Sequence, residues 1–159
     1  MADMLQDDPI FTPSIHYRDP VAALEFLEQA FGFELTMAID GPPDAPEMCH
    51  YEMAIGGRGR VMVGAEWEGT VRSPASLEGA NTQRVHVQLA DGLEEHCERA
   101  RAAGATIVME PEDQFYGDVS YRALDAEGHS WTFSTHVREV TRAEAEAALG
   151  SPIRSTSWT

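Results

Sequence analysis

Seven side chains of this sequence have the chemistry to bind a ligand and fall where a strand or loop would present them to a cavity. Imidazole titrates near neutrality and can donate or accept a proton, and a guanidinium forms paired hydrogen bonds with carboxylate or phosphate. The predicted ligand-binding residues are His16, Glu52, His86, Gln88, Tyr116, Arg122 and Thr132. The sequence identifies no catalytic residue, because it contains neither a nucleophile motif nor a phosphate-cradling glycine loop.

Each of these residues also has a purely structural explanation. His16 and His86 fit equally a role as hydrogen-bonded residues of a sheet surface. Arg122 falls on a central strand position, where an unpaired charge is costly. In a chain so rich in acids, we expect Arg122 to form an ion pair with one of them rather than to hold a ligand.

Two further alternatives stay open. Glu52 shares a strand face with His50, and such a pair suits metal binding and acid-base chemistry as well as an ordinary polar sheet surface. Tyr116, beside Gly117, is either a side chain that closes over a ligand or a plain turn residue.

Two strand-and-helix units must position these side chains. Alternating residues predict a strand that places Ile15 on one face and His16 on the other. A helix follows, with Pro20 in its first turn and Gly32 as its C-terminal cap. The first unit is completed by strands over 33–39, 48–55 and 60–67. The second unit comprises a strand over 83–89, a helix over 93–103 and strands over 106–109, 119–124 and 131–135.

The two units are similar in sequence pattern. Gly104 and Gly32, which end the two helices, lie 72 positions apart, and the same offset places Val87 on Ile15. Each unit is too small to bury its own sheet face, so we expect the two to pair their sheets into one curved wall. The predicted organisation is an N-terminal arm (1–12), module 1 (13–67), a linker (68–82), module 2 (83–136) and a C-terminal helix and tail (137–159).

The last two strands of module 2 flank a turn that ends at Gly128. Strand alternation directs Trp131 and Phe133 into the core and Thr132 to the opposite face. His129 is expected to be an exposed turn residue. Arg84, His86 and Gln88 share the polar face of the first strand of module 2 by the same alternation.

The charge of the chain excludes one class of partner. The sequence has 27 acidic and 11 basic residues and a net charge of −16. A phosphate backbone would be repelled, so nucleic acid binding is not expected. The acidic surface suits solubility or a cationic ligand.

The sequence also predicts a cytoplasmic protein that does not associate with membranes. No apolar run approaches the roughly 20 residues of a membrane-spanning helix, and the N-terminus is acidic where a signal peptide would be basic. Cys49 and Cys97 lack metal-type spacing and suit free thiols in a reducing compartment.

The chain resembles the vicinal oxygen chelate superfamily in three features. These are the two repeated units, the Asp-x-x-Gly-x-x-Trp pattern of Asp125, Gly128 and Trp131, and the helix ends AFGFE and RAAGA. This superfamily includes glyoxalase I, extradiol dioxygenases, fosfomycin-resistance transferases and bleomycin-binding proteins. The resemblance implies an α+β fold in which two βαβββ modules form a curved mixed sheet, followed here by a short C-terminal helix. It also implies a homodimer.

The resemblance places the superfamily's metal ligands on the first and fourth strands of each module. The matching positions are Thr12 and His86 on the first strands, and Thr132 and Met62 or Val63 on the fourth. Only His86 is a metal-binding type. A catalytic divalent ion needs several imidazole or carboxylate ligands. No cofactor is therefore expected, although a divalent ion shared by His86 and His16 remains an alternative.

Three functions follow from this resemblance. The first is a small-molecule-binding protein that lacks the complete metal site and holds a cationic or aromatic ligand in a sheet-lined cavity. The second is a metal-dependent lyase, isomerase or dioxygenase with an unusual ligand set. The third is a dimeric scaffold that binds no ligand.

Overall fold

A computed structural model describes residues 9–67 and 69–158 of the chain. The strands are β1 (Ser14–Tyr17), β2 (Glu34–Ile39), β3 (His50–Ile55), β4 (Gly59–Ala65), β5 (Arg84–Leu89), β6 (Thr106–Asp113), β7 (Asp118–Leu124) and β8 (Ser130–His136). The helices are α1 (Pro20–Phe26), which continues as a π-helical turn (Leu27–Phe31), α2 (Leu93–Ala102) and α3 (Arg142–Leu149). The α+β class, the repeated βαβββ order and the short C-terminal helix are confirmed.

The eight strands form two four-stranded mixed sheets, with strand orders β1-β4-β3-β2 and β5-β8-β7-β6. In each sheet the first strand pairs in parallel with the fourth, and the remaining pairs are antiparallel. The surface expected as one wall thus consists of two sheets, each hydrogen-bonded within its own module. β6 is longer than the sequence predicted, because it extends through two register shifts to Asp113.

The first helix begins and ends where the sequence predicts. The side chain of Asp19 accepts a hydrogen bond from the backbone N–H of Ala22 at 3.0 Å, and Pro20 occupies the first turn. Gly32 ends the π-helical turn with a φ of 75°, which a residue with a Cβ adopts at a cost.

The helix-bearing faces of the two modules share one core. Phe31, at the end of the first helix, packs on Trp131 and Phe133 of β8, with ring centroids 5.5 and 4.9 Å apart. All three side chains are fully buried, which confirms the predicted core role of Trp131 and Phe133. Because the helices fill one side, the polar face of each sheet remains available on the other.

The turn after β7 joins the modules through a buried carboxylate. Asp125 accepts hydrogen bonds from the hydroxyl of Tyr17 at 2.7 Å and from the indole Nε1–H of Trp131 at 3.0 Å. The prediction that His129 is exposed is wrong. The ring of His129 is buried against Tyr17, and its Nε2–H donates to the carbonyl of His16 at 2.8 Å.

His96 on α2 is held neutral between the two modules. Its Nε2–H donates to the carbonyl of Phe31 at 2.9 Å, which leaves Nδ1 to accept from the hydroxyl of Tyr121 at 2.6 Å. Burial lowers the pKa of His96 and outweighs the effect of the carbonyl, which acts in the opposite direction. A charged imidazole would carry a proton on Nδ1, so the hydroxyl of Tyr121 would have to accept this hydrogen bond and its own proton would lose its partner.

We expect His96 to make the folded protein less stable in mild acid. Because the folded-state pKa lies below the unfolded value of about 6.5, the unfolded chain takes up this proton first as the pH falls. The contribution of His96 is complete above about pH 6.5 and is lost below it. Urea unfolding at about pH 7.5 and 5.5 should show a smaller loss of stability in His96→Gln than in the wild type.

His136 provides a control, because its effect on the pH dependence of stability has the opposite sign. Its hydrogen bond to Asp118, and then that to Glu139, raise the pKa of His136, so its contribution is present below about pH 6.5 and is lost as the pH rises. His136→Gln should therefore enlarge the loss of stability in acid. Equal pH dependence in the wild type and His96→Gln would contradict the role given to His96.

The cysteines and the helices agree with the sequence analysis within the described residues. Cys97 is buried and Cys49 is half-buried, and neither is in a disulfide. No helix in ranges 9–67 and 69–158 is long and apolar enough to cross a membrane.

Candidate functional site

Strand register places four residues in one row across the polar face of the second sheet. His86 on β5 lies opposite Thr132 on β8, and Thr132 lies opposite Arg122 on β7. Arg122 in turn lies opposite Met109 on β6. Because neighbouring strands lie roughly 4.8 Å apart, the Cα atoms of His86 and Arg122 are separated by roughly 10 Å, with Thr132 between them.

This row is the floor of a cavity of about 340 Å³, which we call the second-sheet cavity. Its lining residues are Arg84, His86, Met109, Gln114, Tyr116, Ser120, Arg122 and Thr132. Four of the seven residues singled out by the sequence thus meet in one place: His86, Tyr116, Arg122 and Thr132.

Arg122 does not form the ion pair that the sequence favoured. It is half-buried, and the described residues include no carboxylate in an ion pair with it. Its Nε is buried and has no hydrogen-bond partner among the described protein atoms. The nearest residues across the strands, Thr132 and Met109, are uncharged, so alternation on β7 and not charge pairing sets the position of this guanidinium.

The charge of the second-sheet cavity is opposite to that of the chain. Two arginines and a histidine line it, and its described lining contains no aspartate or glutamate. The chain as a whole carries −16. Such a lining disfavours the cationic ligand that the net charge suggested, because the two guanidinium groups would repel it.

Gln88 lies next to this cavity and is already engaged. Its side-chain amide donates to Asp118 at 3.2 Å. Gln88 and His86 also line a second cavity of about 620 Å³, where β5 faces the β3–β4 hairpin and side chains such as Phe33 and Ile55 are apolar. His86 therefore stands at the border between a polar and a largely apolar cavity.

Tyr116 is presented by the loop between β6 and β7. Its ring is half-buried and meets that of Phe115 edge to face, at 5.1 Å between centroids. The next residue, Gly117, is buried with a φ of +101°. A backbone that only glycine adopts readily thus holds the tyrosine at the cavity wall.

His16 lies on the first sheet, outside the second-sheet cavity. Its Nδ1–H donates to the carbonyl of Ala65 at 2.9 Å, and Nε2 accepts from the hydroxyl of Ser14 at 3.2 Å. The ring packs over Gly64, where an added Cβ would lie 3.5 Å from Nδ1. Both ring nitrogens are satisfied, as the structural explanation of His16 requires.

Glu52 belongs to the same sheet as His16. Its carboxylate contacts Nε2 of His50 at 3.2 Å. The structure therefore brings together four of the candidates on the second sheet, with Gln88 beside them, and leaves His16 and Glu52 elsewhere.

The residues of this site do not fit the divalent ion of the metal-dependent proteins that the chain resembles. No group of three or more His, Cys, Asp or Glu within 9–67 and 69–158 is arranged to hold a metal. His86 faces a threonine where a carboxylate would be needed, and the guanidinium of Arg122 next to Thr132 would repel a cation. His16 lies on the first sheet, does not line this cavity and has both ring nitrogens engaged. The absence of a cofactor remains a prediction.

Sequence reasoning missed three lining residues, namely Met109, Gln114 and Ser120. Ser120 could have been found, since it precedes Arg122 by two positions and alternation places both on one face. It is buried, and its hydroxyl hydrogen-bonds that of Ser134 at 2.6 Å. Met109 and Gln114 could not, because the irregular register between β6 and β7 places them.

The proteins that resemble this chain include two with 30% identity and one that shares its fold. An uncharacterised protein of Mycobacterium bovis is 30% identical over 148 residues, which cover 91% of this chain and 94% of that protein. The crystal structure of TioX from Micromonospora sp. ML1 is 30% identical, with a TM-score of 0.62 over 80% of this chain and 98% of TioX. TnmS3, an antibiotic-binding protein from Streptomyces sp. CB03234, shares the fold at 18% identity, with a TM-score of 0.59 over 77% of this chain and 91% of TnmS3.

A family profile also matches most of the chain. It covers residues 11–133, from the segment before β1 to the middle of β8, and so includes both modules. Together with the repeated βαβββ order, this match identifies the chain as a member of the Glyoxalase/Bleomycin resistance protein/Dioxygenase superfamily.

Proposed function

We propose that this chain is a small-molecule-binding protein that holds an organic ligand in the second-sheet cavity without the superfamily's metal. The observation that carries the proposal is the convergence of Arg84, His86, Tyr116 and Arg122 on one cavity of about 340 Å³. Convergent polar groups in a concave site are typical of ligand pockets. The antibiotic-binding function of TnmS3, which has the same fold, supports a binding role.

Two features favour binding over the alternatives. A scaffold without a ligand would be expected to fill this face with packed side chains, whereas here it forms a cavity. A metal-dependent lyase, isomerase or dioxygenase would need a donor set that His86 and Thr132 do not supply. Of the ligand types expected from sequence, the lining supports an aromatic body, which Tyr116 can contact, over a cation.

The proposal extends to assembly and location. We expect a homodimer, because all six residues of β2 are exposed at the edge of the first sheet, including Leu35, Met37 and Ile39. Light scattering should then give twice the 17.5 kDa of one chain. The free thiols of Cys49 and Cys97 are consistent with the cytoplasm.

A thermal-shift screen of neutral, cationic and anionic aromatic compounds tests the binding function. Ligands that bind the folded chain should raise its melting temperature, and the shift should grow with the logarithm of the ratio of ligand concentration to Kd. Thr132→Trp, which fills the centre of the cavity floor, should abolish the shifts. His86→Trp, at an exposed position on an edge strand, provides a second obstruction if the first variant folds poorly.

A matched variant separates blocking of the cavity from a general effect of the added indole. Glu25→Trp places the same side chain on an exposed position of α1, away from the second-sheet cavity, and should keep every shift. A screen without stabilising compounds, or compounds that stabilise both blocked variants as well as the wild type, would contradict the proposed function.

A further inference from the structure

The guanidinium of Arg122 lacks the partner that its position demands. It lies on β7, between β8 and β6, and its Nε is buried without a hydrogen bond to any described protein atom. Buried charged donors are normally paired, because desolvation without a partner is costly. The side chain lines the second-sheet cavity, so a group inside that cavity is placed to complete its hydrogen bonds.

The carboxylates of this face are not available to neutralise Arg122. Asp118 lies four residues earlier on β7, roughly 13 Å along the strand, and accepts hydrogen bonds from Gln88 at 3.2 Å and from His136 at 3.0 Å. The carboxylate of Glu112, on β6, accepts a hydrogen bond from the side-chain amide of Gln114 at 3.5 Å. Neither acid is among the described lining residues of the cavity.

Other donors surround the same space. Arg84 precedes His86 by two positions on β5, so both side chains lie on one face, and Arg84 forms no ion pair within the described part of the chain. The hydroxyl of Thr132 lies between His86 and Arg122 in the row. The roughly 10 Å between the Cα atoms of that pair leaves room for a carboxylate or phosphate over the threonine.

The net charge makes this arrangement selective. A chain with a charge of −16 repels anions in general, so the positive lining is not a consequence of composition. Within the cavity, the half-buried guanidinium of Arg122 acts at short range and is screened less than surface charges are. An anionic group is therefore attracted to the cavity and repelled by the rest of the acidic surface.

We propose that the ligand of the second-sheet cavity carries an anionic oxygen group, a carboxylate or a phosphonate, which Arg122 and Arg84 bind while Thr132 and His86 donate to its remaining oxygens. This inference rests on the proposed binding function and adds the chemical class of the ligand. The planar fork of an arginine matches such oxygens in pairs. The apolar cavity beyond His86 lies where the rest of an amphiphilic acid would extend.

A series of compounds with one ring and different charges tests the inference. Benzoate, phenylphosphonate, benzamide and benzamidine are titrated into ¹⁵N-labelled protein, and the shifts of the Arg122, Thr132 and His86 amides are followed by NMR. Benzoate or phenylphosphonate should bind about tenfold more tightly than benzamide, and benzamidine most weakly. The stronger of the two anions distinguishes a carboxylate site from a phosphonate site.

Variants show whether Arg122 is responsible for the preference for anionic compounds. Arg122→Gln should weaken the binding of the anions about tenfold and change the affinity for benzamide by no more than about twofold. Arg122→Lys should keep part of the anion preference, because lysine retains the charge but lacks the planar fork of the guanidinium. Arg84→Gln supplies a second measurement if Arg122→Gln is poorly folded. Arg138→Gln, at an exposed position outside the cavity, is the control and should change nothing.

The outcomes distinguish the inference from the function on which it rests. If benzamide or benzamidine binds as tightly as the anions, or if Arg122→Gln and Arg84→Gln both keep the anion preference, the anionic class is wrong and the binding function stands. If none of the four compounds shifts the cavity resonances while the thermal-shift screen is also negative, both proposals fail.

Discussion

Replacing Asp125 with alanine is expected to lower the free energy of unfolding by about 3–5 kcal/mol. The carboxylate of Asp125 is buried and accepts four hydrogen bonds. Two come from side chains, the hydroxyl of Tyr17 and the indole of Trp131, and two from the backbone N–H groups of Glu127 and His129 at 3.1 and 3.0 Å. Alanine would leave these donors without a partner and remove the hydrogen bond between Tyr17 of module 1 and this turn of module 2.

Two variants at the same turn make the measurement interpretable. Asp125→Asn keeps one carbonyl acceptor and the size of the side chain, so we expect a loss of about half that of Asp125→Ala. Ala126→Ser changes an exposed neighbour and should stay within about 0.5 kcal/mol of the wild type. Urea unfolding measures all three, and a loss below about 1 kcal/mol for Asp125→Ala would contradict the role of this carboxylate.

Replacing Gly117 with alanine is expected to lower the free energy of unfolding by about 3 kcal/mol and to displace the loop that carries Tyr116. An added Cβ would lie 2.1 Å from the carbonyl oxygen of Arg138, which is closer than any van der Waals contact. The segment after β8 cannot easily move away, because Val137 and Arg138 donate their backbone N–H groups to the carbonyl of Gly117 at 3.0 and 3.1 Å. The φ of +101° adds strain.

Gly104 isolates the steric part of this effect. It has nearly the same φ, +99°, but an added Cβ would meet nothing within 4 Å. Gly104→Ala should therefore show only the cost of the positive φ, about 1 kcal/mol. Equal losses in the two variants would mean that the contact with Arg138 relaxes freely. The ligand affinity of Gly117→Ala, measured on the folded variant, would show how strongly binding depends on the position of Tyr116.

Local patterns account for much of the fold and for part of the candidate site. Alternation along β8 separates Trp131 and Phe133 from Thr132, and that separation is a property of any strand. The same rule on β5 and β7 placed His86 and Arg122 on the polar face. Helix signals at Pro20 and Gly32 likewise depend only on neighbouring residues.

The predictions that were wrong concern residues whose surroundings are set by parts of the chain distant in sequence. Arg122 was expected to pair with an acid because the chain is acidic, yet the acid of its own strand, Asp118, lies four residues away and is bound to Gln88 and His136. His129 reads as an exposed turn residue, but docking of the turn on β1 buries it. Neither outcome can be deduced from the turn or the strand in isolation.

The sequence by itself determined the repeated βαβββ order and the alternating faces of strands such as β5 and β8, because each depends on residue types at short and regular spacing. Only the tertiary structure decided which faces meet and which charges remain unpaired. The hydrogen bond between Tyr17 and Asp125 joins residues 108 positions apart, and the unpaired Arg122 depends on how three other strands dispose their side chains. Such contacts depend on the packing of the whole chain. That packing places two arginines in one cavity of an acidic chain for which the sequence predicts a cationic or aromatic ligand.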